Sequence, residues 1–198
     1  EVSNDNMHLL KKMGSATAAS GAVGLYHVEN LTPDAKQKGR KLLQKGYQTY
    51  VYDDAEKARV LASFPVEWEG RPKDPTIALI GCPHNTYQEI LTWGQKVTEA
   101  LEKRGLETGA IPTKLFCSNK VRDHLVNDEP LLVGKMINAN MRFTNMCTVT
   151  YTGMKGFSER TFGVTNSPKT RNYYPDVRYL KDDALLEVIL TGKIPKNA

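Results

Sequence analysis

The sequence predicts an α/β fold in three layers, α/β/α, with helices on both faces of a mainly parallel sheet. Two observations carry this. Short apolar runs suited to buried strands alternate along the chain with longer segments of helical spacing. The junctions between them hold the residue types that start and stop helices. Crossovers between the parallel strands are expected to be right-handed. Ligands in such folds sit beyond the carboxyl ends of the strands, which singles out three loops: Gly81–Asn85, Cys117–Asn119 and Asn166–Arg171.

Taken in order, Asn6–Val28 reads as a helix rich in small residues, broken at Asn30-Leu31-Thr32-Pro33. Thr32 is placed to cap a second helix with Pro33 in its first turn, running to about Lys45 before Gly46. Tyr47–Tyr52 has strand composition, and Asp53-Asp54 opens a short helix with acid at its positive end. Phe64–Pro75 is a loop and a candidate sub-boundary near 64–75 within one region spanning 1–198. Thr76–Ile80 is a short buried strand, and Gly81-Cys82-Pro83-His84-Asn85 a loop. Thr86-x-x-Glu89 is a capping box ahead of Ile90, Leu91, Val97 and Leu101, and Gly105 stops that helix. Lys114–Cys117 is a strand, and Ser118 caps a helix over Asn119–Val126. Phe143–Tyr151 alternates toward strand, Gly153–Ser158 turns, and Thr161–Thr165 is a strand. The loop Asn166-Ser167-Pro168 and a last helix over Asp182–Thr191 follow.

The chain has 198 residues, 40 % of them hydrophobic, enough for a substantial core. Its net charge of +5 favours an anionic partner, such as a small carboxylated or phosphorylated metabolite. The basic residues are dispersed, without an arginine-rich run or interleaved aromatics, which argues against nucleic acid. No apolar run approaches the roughly 20 residues of a membrane span, and Glu1–Lys12 lacks an apolar signal core. Three irregularly spaced cysteines do not make a secreted disulfide framework, so a reducing cytoplasm is expected, where thiols are available as ligands. The absence of an initial Met suggests a fragment, a processed subunit or one half of a longer protein.

Cys82 follows an apolar strand between Gly81 and Pro83, with a helix just beyond whose N–H groups favour a thiolate. His84 is near enough to tune a metal or thiol. Cys147 lies in Thr144-Asn145-Met146-Cys147-Thr148, where hydroxyl and amide donors can tune a ligated sulfur. Cys117 suits a ligand or a core position equally. For all three, the alternative is a packed, inert thiol. Thr165-Asn166-Ser167-Pro168-Lys169-Thr170-Arg171 combines donors and cations at a strand end, suited to a carboxylate or phosphate. Its alternative is a solvated turn. Ser20-Gly21 allows either close approach to an anion or tight helix packing. His27 reads as structural, and His8 and His124 carry no assigned role.

Four of these segments together resemble the aconitase X family. Met13–Val28 with Leu31-Thr32-Pro33-Asp34-Ala35 resembles the family's LGAAxASSGAVALxHV…GxTPEA segment. Ile80-Gly81-Cys82-Pro83-His84 is similar to IGCPH, and Asn145-Met146-Cys147 to DTC. Val164-Thr165-Asn166-Ser167-Pro168-Lys169, then Tyr173-Tyr174-Pro175, is similar to TNSxKxxHYxP. The segments fall in the family's order over nearly the whole chain, matching about the second half of its large subunit.

The resemblance implies an aconitase-like fold and a hydro-lyase reaction on cis-3-hydroxyproline or a phosphorylated hydroxy acid such as phosphomevalonate. It implies an iron-sulfur cluster or mononuclear iron with Cys82 and Cys147 as ligands and Cys117 an unmatched further candidate. Ser20, Gly21, Ser167, Lys169 and Arg171 become candidate substrate-binding residues, and His84 and Ser167 candidate catalytic ones. A complementary large-subunit half and a small swivelling subunit become the expected partners. The departures are Asn145 for the family Asp, Asn172 for the family His and Ala19 for one Ser. Those departures favour a second reading, a non-catalytic anion-binding or partner-binding subunit. A thiol enzyme built on Cys82 and His84 would need a third residue to orient the His, and none is visible.

Overall fold

The computed structural model describes residues 8–63, 74–157, 161–174 and 176–196. Most of the expected loop and sub-boundary at 64–75 lies outside the described residues, as do Asn6, Ser158 and Pro175 of segments named above. The chain forms two compact units, residues 1–65 and 66–198.

In the first unit, α1 spans His8–Gly21. It ends seven residues before Val28, where Ala22 takes a left-handed φ of 53°. The Tyr26 hydroxyl donates to the Leu10 carbonyl at 2.6 Å. Its ring lies so close to Gly14 that a Cβ there would sit 3.0 Å from it. The small residues of α1 thus include one set against a ring of the same unit. Next come α2 (Pro33–Lys38) and a 3-10 turn over Gly39–Leu42, shorter than the expected helix because Gly39 turns left-handed at φ 51°. Pro33 opens α2 as expected, but the Thr32 hydroxyl does not cap it. Instead it accepts the Val28 N–H at 3.0 Å. Asp53 does cap α3 (Asp54–Ala62), accepting the Glu56 N–H at 2.8 Å.

The strand expected at Tyr47–Tyr52 is not formed: that stretch takes no regular secondary structure, and Tyr47, Tyr50, Val51 and Tyr52 are exposed. Tyr and Val suit a pleated, half-buried surface, but a strand also needs a neighbour for its N–H and C=O groups. Among the described residues none pairs with it.

The second unit is built on a five-stranded parallel sheet. Its strands are β1 (Ile77–Asn85), β2 (Thr113–Cys117), β3 (Met141–Thr144), β4 (Gly163–Thr165) and β5 (Arg178–Tyr179), in the order β3-β2-β1-β4-β5. Between them run α4 (Tyr87–Arg104), α5 (Asn119–Asp128), α6 (Pro130–Asn138), α7 (Thr148–Thr152), α8 (Pro168–Tyr173) and, last, α9 (Asp182–Thr191). The fold is α/β, as the alternating pattern predicts. β1 alternates its side chains between faces, as a pleat requires. Ala78 and Ile80 join Leu115, Met141 and Val164 in a large core with Ile90, Val97 and Leu101 of α4, Leu125 of α5, Met136 of α6 and Leu185 of α9. Ile77 and Leu79 join Phe116 in a smaller core with Phe157 and Val177, edged by Tyr151 of α7 and by Tyr174.

The chain leaves β1 in one direction, through β2 to β3, with α4, α5 and α6 on the first face. It returns through β4 to β5 with α7 on the other face. Reversing both direction and face keeps one hand of crossover, the economy expected of a twisted parallel sheet. The order therefore reverses at β1, between β2 and β4, where open sheets leave a crevice beyond their carboxyl ends.

The capping box forms: Thr86 Oγ1 accepts the Glu89 N–H, and the Glu89 carboxylate accepts the Thr86 N–H at 2.8 Å. Gly105 closes α4 in a left-handed turn at φ 64°, and Ser118 caps α5. Three further readings need correction. β1 continues through the expected loop to Asn85, its register with β2 shifting between Ile80 and Asn85. The strand over Phe143–Tyr151 splits into the end of β3 and the helix α7. The loop from Asn166 to Arg171 is largely α8.

Candidate functional site

The crevice lies where β1 outruns its neighbours. Pairing with β4 ends at Leu79 and Thr165, and regular pairing with β2 ends at Ile80 and Leu115. The β1 carbonyls beyond that point would be left without ladder partners, and buried carbonyls require donors. Side chains supply them at four consecutive residues. Thr165 Oγ1 donates to the Leu79 carbonyl at 2.8 Å, and Asn85 Nδ2 to that of Ile80 at 2.9 Å. Thr148 Oγ1 donates to the Gly81 carbonyl at 3.3 Å, and Ser167 Oγ to that of Cys82 at 2.6 Å. All four donors are buried. Gly81 takes φ 119°, and a Cβ there would stand 2.6 Å from the Phe116 carbonyl and closer still to the Asn85 amide. Only glycine fits. The Cys82–Pro83 peptide is cis.

Cys82 and Cys147 are brought together by this frame. Gly81, before Cys82, is bonded to Thr148, after Cys147. His84, two residues past Cys82, donates from Nε2 to the carbonyl of Met146, before Cys147, at 3.0 Å. A carbonyl can only accept, so that nitrogen carries the proton of the bond. The two segments thus run side by side. Cys82 is half-buried and Cys147 exposed.

Cys147 occupies the position before α7, not a strand. The backbone N–H of Thr150, joined by that of Val149 and by the charge of Lys169, holds its thiol below the ordinary value, against partial burial. Lys169, which adds its charge to that effect, is carried on α8. Ser167, the residue before α8, accepts the Thr170 N–H at 3.1 Å while donating to Cys82. Arg171 lies buried in the last turn of α8. Asn166 Nδ2 donates to Asp182 at the start of α9, 2.8 Å away.

Of the remaining candidates, Cys117 is a core thiol and Ser20 and Gly21 belong to the first unit. Cys117, 1 % exposed, packs in the large core with Leu115 and Leu125, and burial pushes its thiol pKa up. It behaves as a small hydrophobe. Ser20 and Gly21 belong to the first unit, where the Ser20 hydroxyl donates to the Ala16 carbonyl of its own helix at 2.9 Å.

The donor chemistry fits iron in part. Two thiols, one of them eased toward thiolate, stand on adjacent segments at the strand ends, and sulfur ligands suit iron-sulfur clusters. Among the described residues, no group of three or more His, Cys, Asp and Glu stands ready to hold a metal. Thr165, Thr148 and Asn85 fall within segments that the sequence singles out, but their role as donors to the β1 carbonyls is not among the expectations. The available signal was a strand ending in glycine, which leaves carbonyls needing partners.

No family model matches the chain. It is 32 % identical over 101 residues to the phosphomevalonate dehydratase large subunit of Thermococcus kodakarensis, covering 51 % of this chain and 23 % of that protein. It is 29 % identical over 116 residues to the subunit of the same name from Methanosarcina mazei, covering 58 % and 24 %. The subunit of that name from Methanocaldococcus jannaschii is 32 % identical over 107 residues, 52 % of this chain and 23 % of its own. The chain thus matches about a quarter of the length of these curated relatives. Its fold is that of the holo-form of Thermococcus kodakaraensis aconitase X, with a TM-score of 0.72 and 24 % identity, over 98 % of this chain and 46 % of that one. These comparisons bear out the resemblance to aconitase X that the motifs carry.

Proposed function

We propose that this chain is a component of an aconitase-type hydro-lyase that eliminates water from a small hydroxy acid. The observation that carries this reading is the side-by-side placement of Cys82 and Cys147, through Gly81–Thr148 and His84–Met146, in a chain related to phosphomevalonate dehydratase large subunits. Cys82 and Cys147 would hold an iron-sulfur cluster or mononuclear iron, whose bound iron supplies Lewis acidity toward a substrate hydroxyl. Lys169 draws an anionic substrate toward the crevice and favours the Cys147 thiolate. Arg171 adds positive charge on the same helix. The remaining ligand, the base and the residues that close the site come from a complementary large-subunit segment and a small subunit. A phosphorylated hydroxy acid, the substrate type named by the curated relatives, is the first choice, and cis-3-hydroxyproline the second. A reducing compartment such as the cytoplasm suits the free thiols.

The test is anaerobic reconstitution with ferrous iron and sulfide, read as visible absorbance and iron per chain. The wild-type chain should gain a thiolate-to-iron band that Cys82→Ala and Cys147→Ala each lose. A variant that keeps the full band would remove that cysteine from the ligand set. Adding complementary subunits should then produce loss of water from phosphomevalonate. Anion binding without turnover in that complete mixture would instead support the non-catalytic reading, which Asn145 and Asn172 favour.

A further inference from the structure

We propose that Ser167 is a positioning residue for Cys82, acting through the Cys82 peptide and not on substrate. The sequence alone offers its hydroxyl as a grip for an anion or as a catalytic group. The structure commits both its hydrogen and a lone pair inside the protein. The hydrogen goes to the Cys82 carbonyl at 2.6 Å, the shortest of the four side-chain bonds to the end of β1. The lone pair accepts the Thr170 N–H at 3.1 Å. A third bond fixes the backbone of Ser167 itself, whose N–H donates to Thr165 Oγ1 at 3.1 Å. That same Thr165 oxygen donates to Leu79. Ser167 is 3 % exposed, so water does not compete readily for these partners.

The arrangement makes Ser167 the last donor in a ladder of side chains. Thr165 continues the sheet for Leu79, Asn85 closes on Ile80, Thr148 holds Gly81, and Ser167 holds Cys82. The first three fix the backbone up to the residue before the thiol. Ser167 fixes the thiol's own peptide, and with it the direction in which Cα–Cβ leaves the chain. It also joins that peptide to α8, the helix that carries Lys169. The peptide of Cys82 is therefore tied to the start of α8 by one hydroxyl. This deepens the reading in which Cys82 is a metal ligand, although the positioning itself rests on geometry alone.

The test uses the metal-free chain, so failure of iron to bind would leave it intact. Alkylation of each cysteine by iodoacetamide is followed by mass spectrometry in wild type, Ser167→Ala, Ser167→Asp and Ser167→Thr. Alanine removes both the donated and the accepted bond. Aspartate keeps the acceptor for the Thr170 N–H but has no proton for the Cys82 carbonyl. Threonine keeps both. With a net hydrogen bond setting the equilibrium of the segment, Cys82 should react about fivefold faster in the alanine and aspartate variants. Threonine should stay near the wild-type rate. Cys147 and the core thiol Cys117 should hold their rates throughout. An unchanged Cys82 rate in the alanine variant overturns the proposal. So does a wild-type rate in the aspartate variant, which would make helix capping the whole role of Ser167. Acceleration of Cys117 together with Cys82 also overturns it, because the serine would then serve general stability.

Discussion

Replacing Gly81 by alanine tests the frame at its tightest point. At φ 119° an L side chain is strained, and the added Cβ would meet the Phe116 carbonyl at 2.6 Å. Holding a non-glycine residue in such a region costs about 2 kcal/mol. The side chain that must retreat is Asn85, whose amide donates to the Ile80 carbonyl at 2.9 Å and the Phe116 carbonyl at 3.1 Å. Each bond contributes about 1 kcal/mol net, so the full change should cost about 4 kcal/mol. That is a large share of the stability of an ordinary domain. Urea unfolding followed by circular dichroism measures it. Gly134→Ala is the matched control: Gly134 lies within α6, and a Cβ there meets nothing within 4 Å. Helix propensity alone should make that change stabilising by roughly 0.5–1 kcal/mol. A cost below about 1 kcal/mol for Gly81→Ala, the level of a typical point mutation, would refute the reasoning.

Four other outcomes are expected. Because the Cys147 thiol sits below its ordinary pKa, its alkylation should persist to lower pH than that of a free thiol, and Lys169→Gln should move the profile upward. The sign for folding follows: a depressed pKa contributes stability present above the unfolded value and lost as pH falls through the folded value. Cys117→Ser should cost about 1–3 kcal/mol in thermal unfolding by placing a hydroxyl among apolar neighbours, while Cys117→Ala should leave bound iron per chain unchanged. Thr86→Ala should cost about 1 kcal/mol through the lost cap of α4, measured by urea unfolding. Arg104 holds Glu187 with two bonds of 3.0 and 2.7 Å and lowers its carboxyl pKa; both are well exposed, so Arg104→Ala should cost little stability in urea unfolding, and that small effect should shrink in high salt.

What the sequence made legible was local chemistry with a local cause. The Thr86–Glu89 box, the stop at Gly105, the acidic helix start at Asp53-Asp54 and the cap Ser118 need only neighbouring residues, and each forms, whereas the Thr32 hydroxyl turns back to Val28. Apolar runs found β1, β2 and β4. What escaped depends on distant partners. Thr148-Val149-Thr150-Tyr151 has strand composition but starts α7, where Thr148 reaches the Gly81 carbonyl. Tyr47–Tyr52 has the same composition but pairs with no strand among the described residues. β5, two residues long, is too short to leave a period. The candidate site divides in the same way. The motifs named Cys82 and Cys147, but the side-chain ladder between them joins residues up to 86 positions apart, and no spacing in the sequence encodes that.

The two faces of the sheet are unequally filled. The α4 face buries the larger core, whereas the smaller core, edged by Tyr151 of α7 and by Tyr174 just after α8, holds five buried hydrophobic side chains among the described residues. Local opening follows burial, so amide exchange should be faster in α7 and α8 than in α4. Cys147 and Lys169 ride on this softer face, and Cys82 is anchored to the strand that both faces share. One of the two cysteines therefore belongs to the more firmly packed part of the unit and the other to its softer part. A partner or metal that bridges them would draw the soft face into the rigid one, and the protection gained there would register that binding far from any change in the main core.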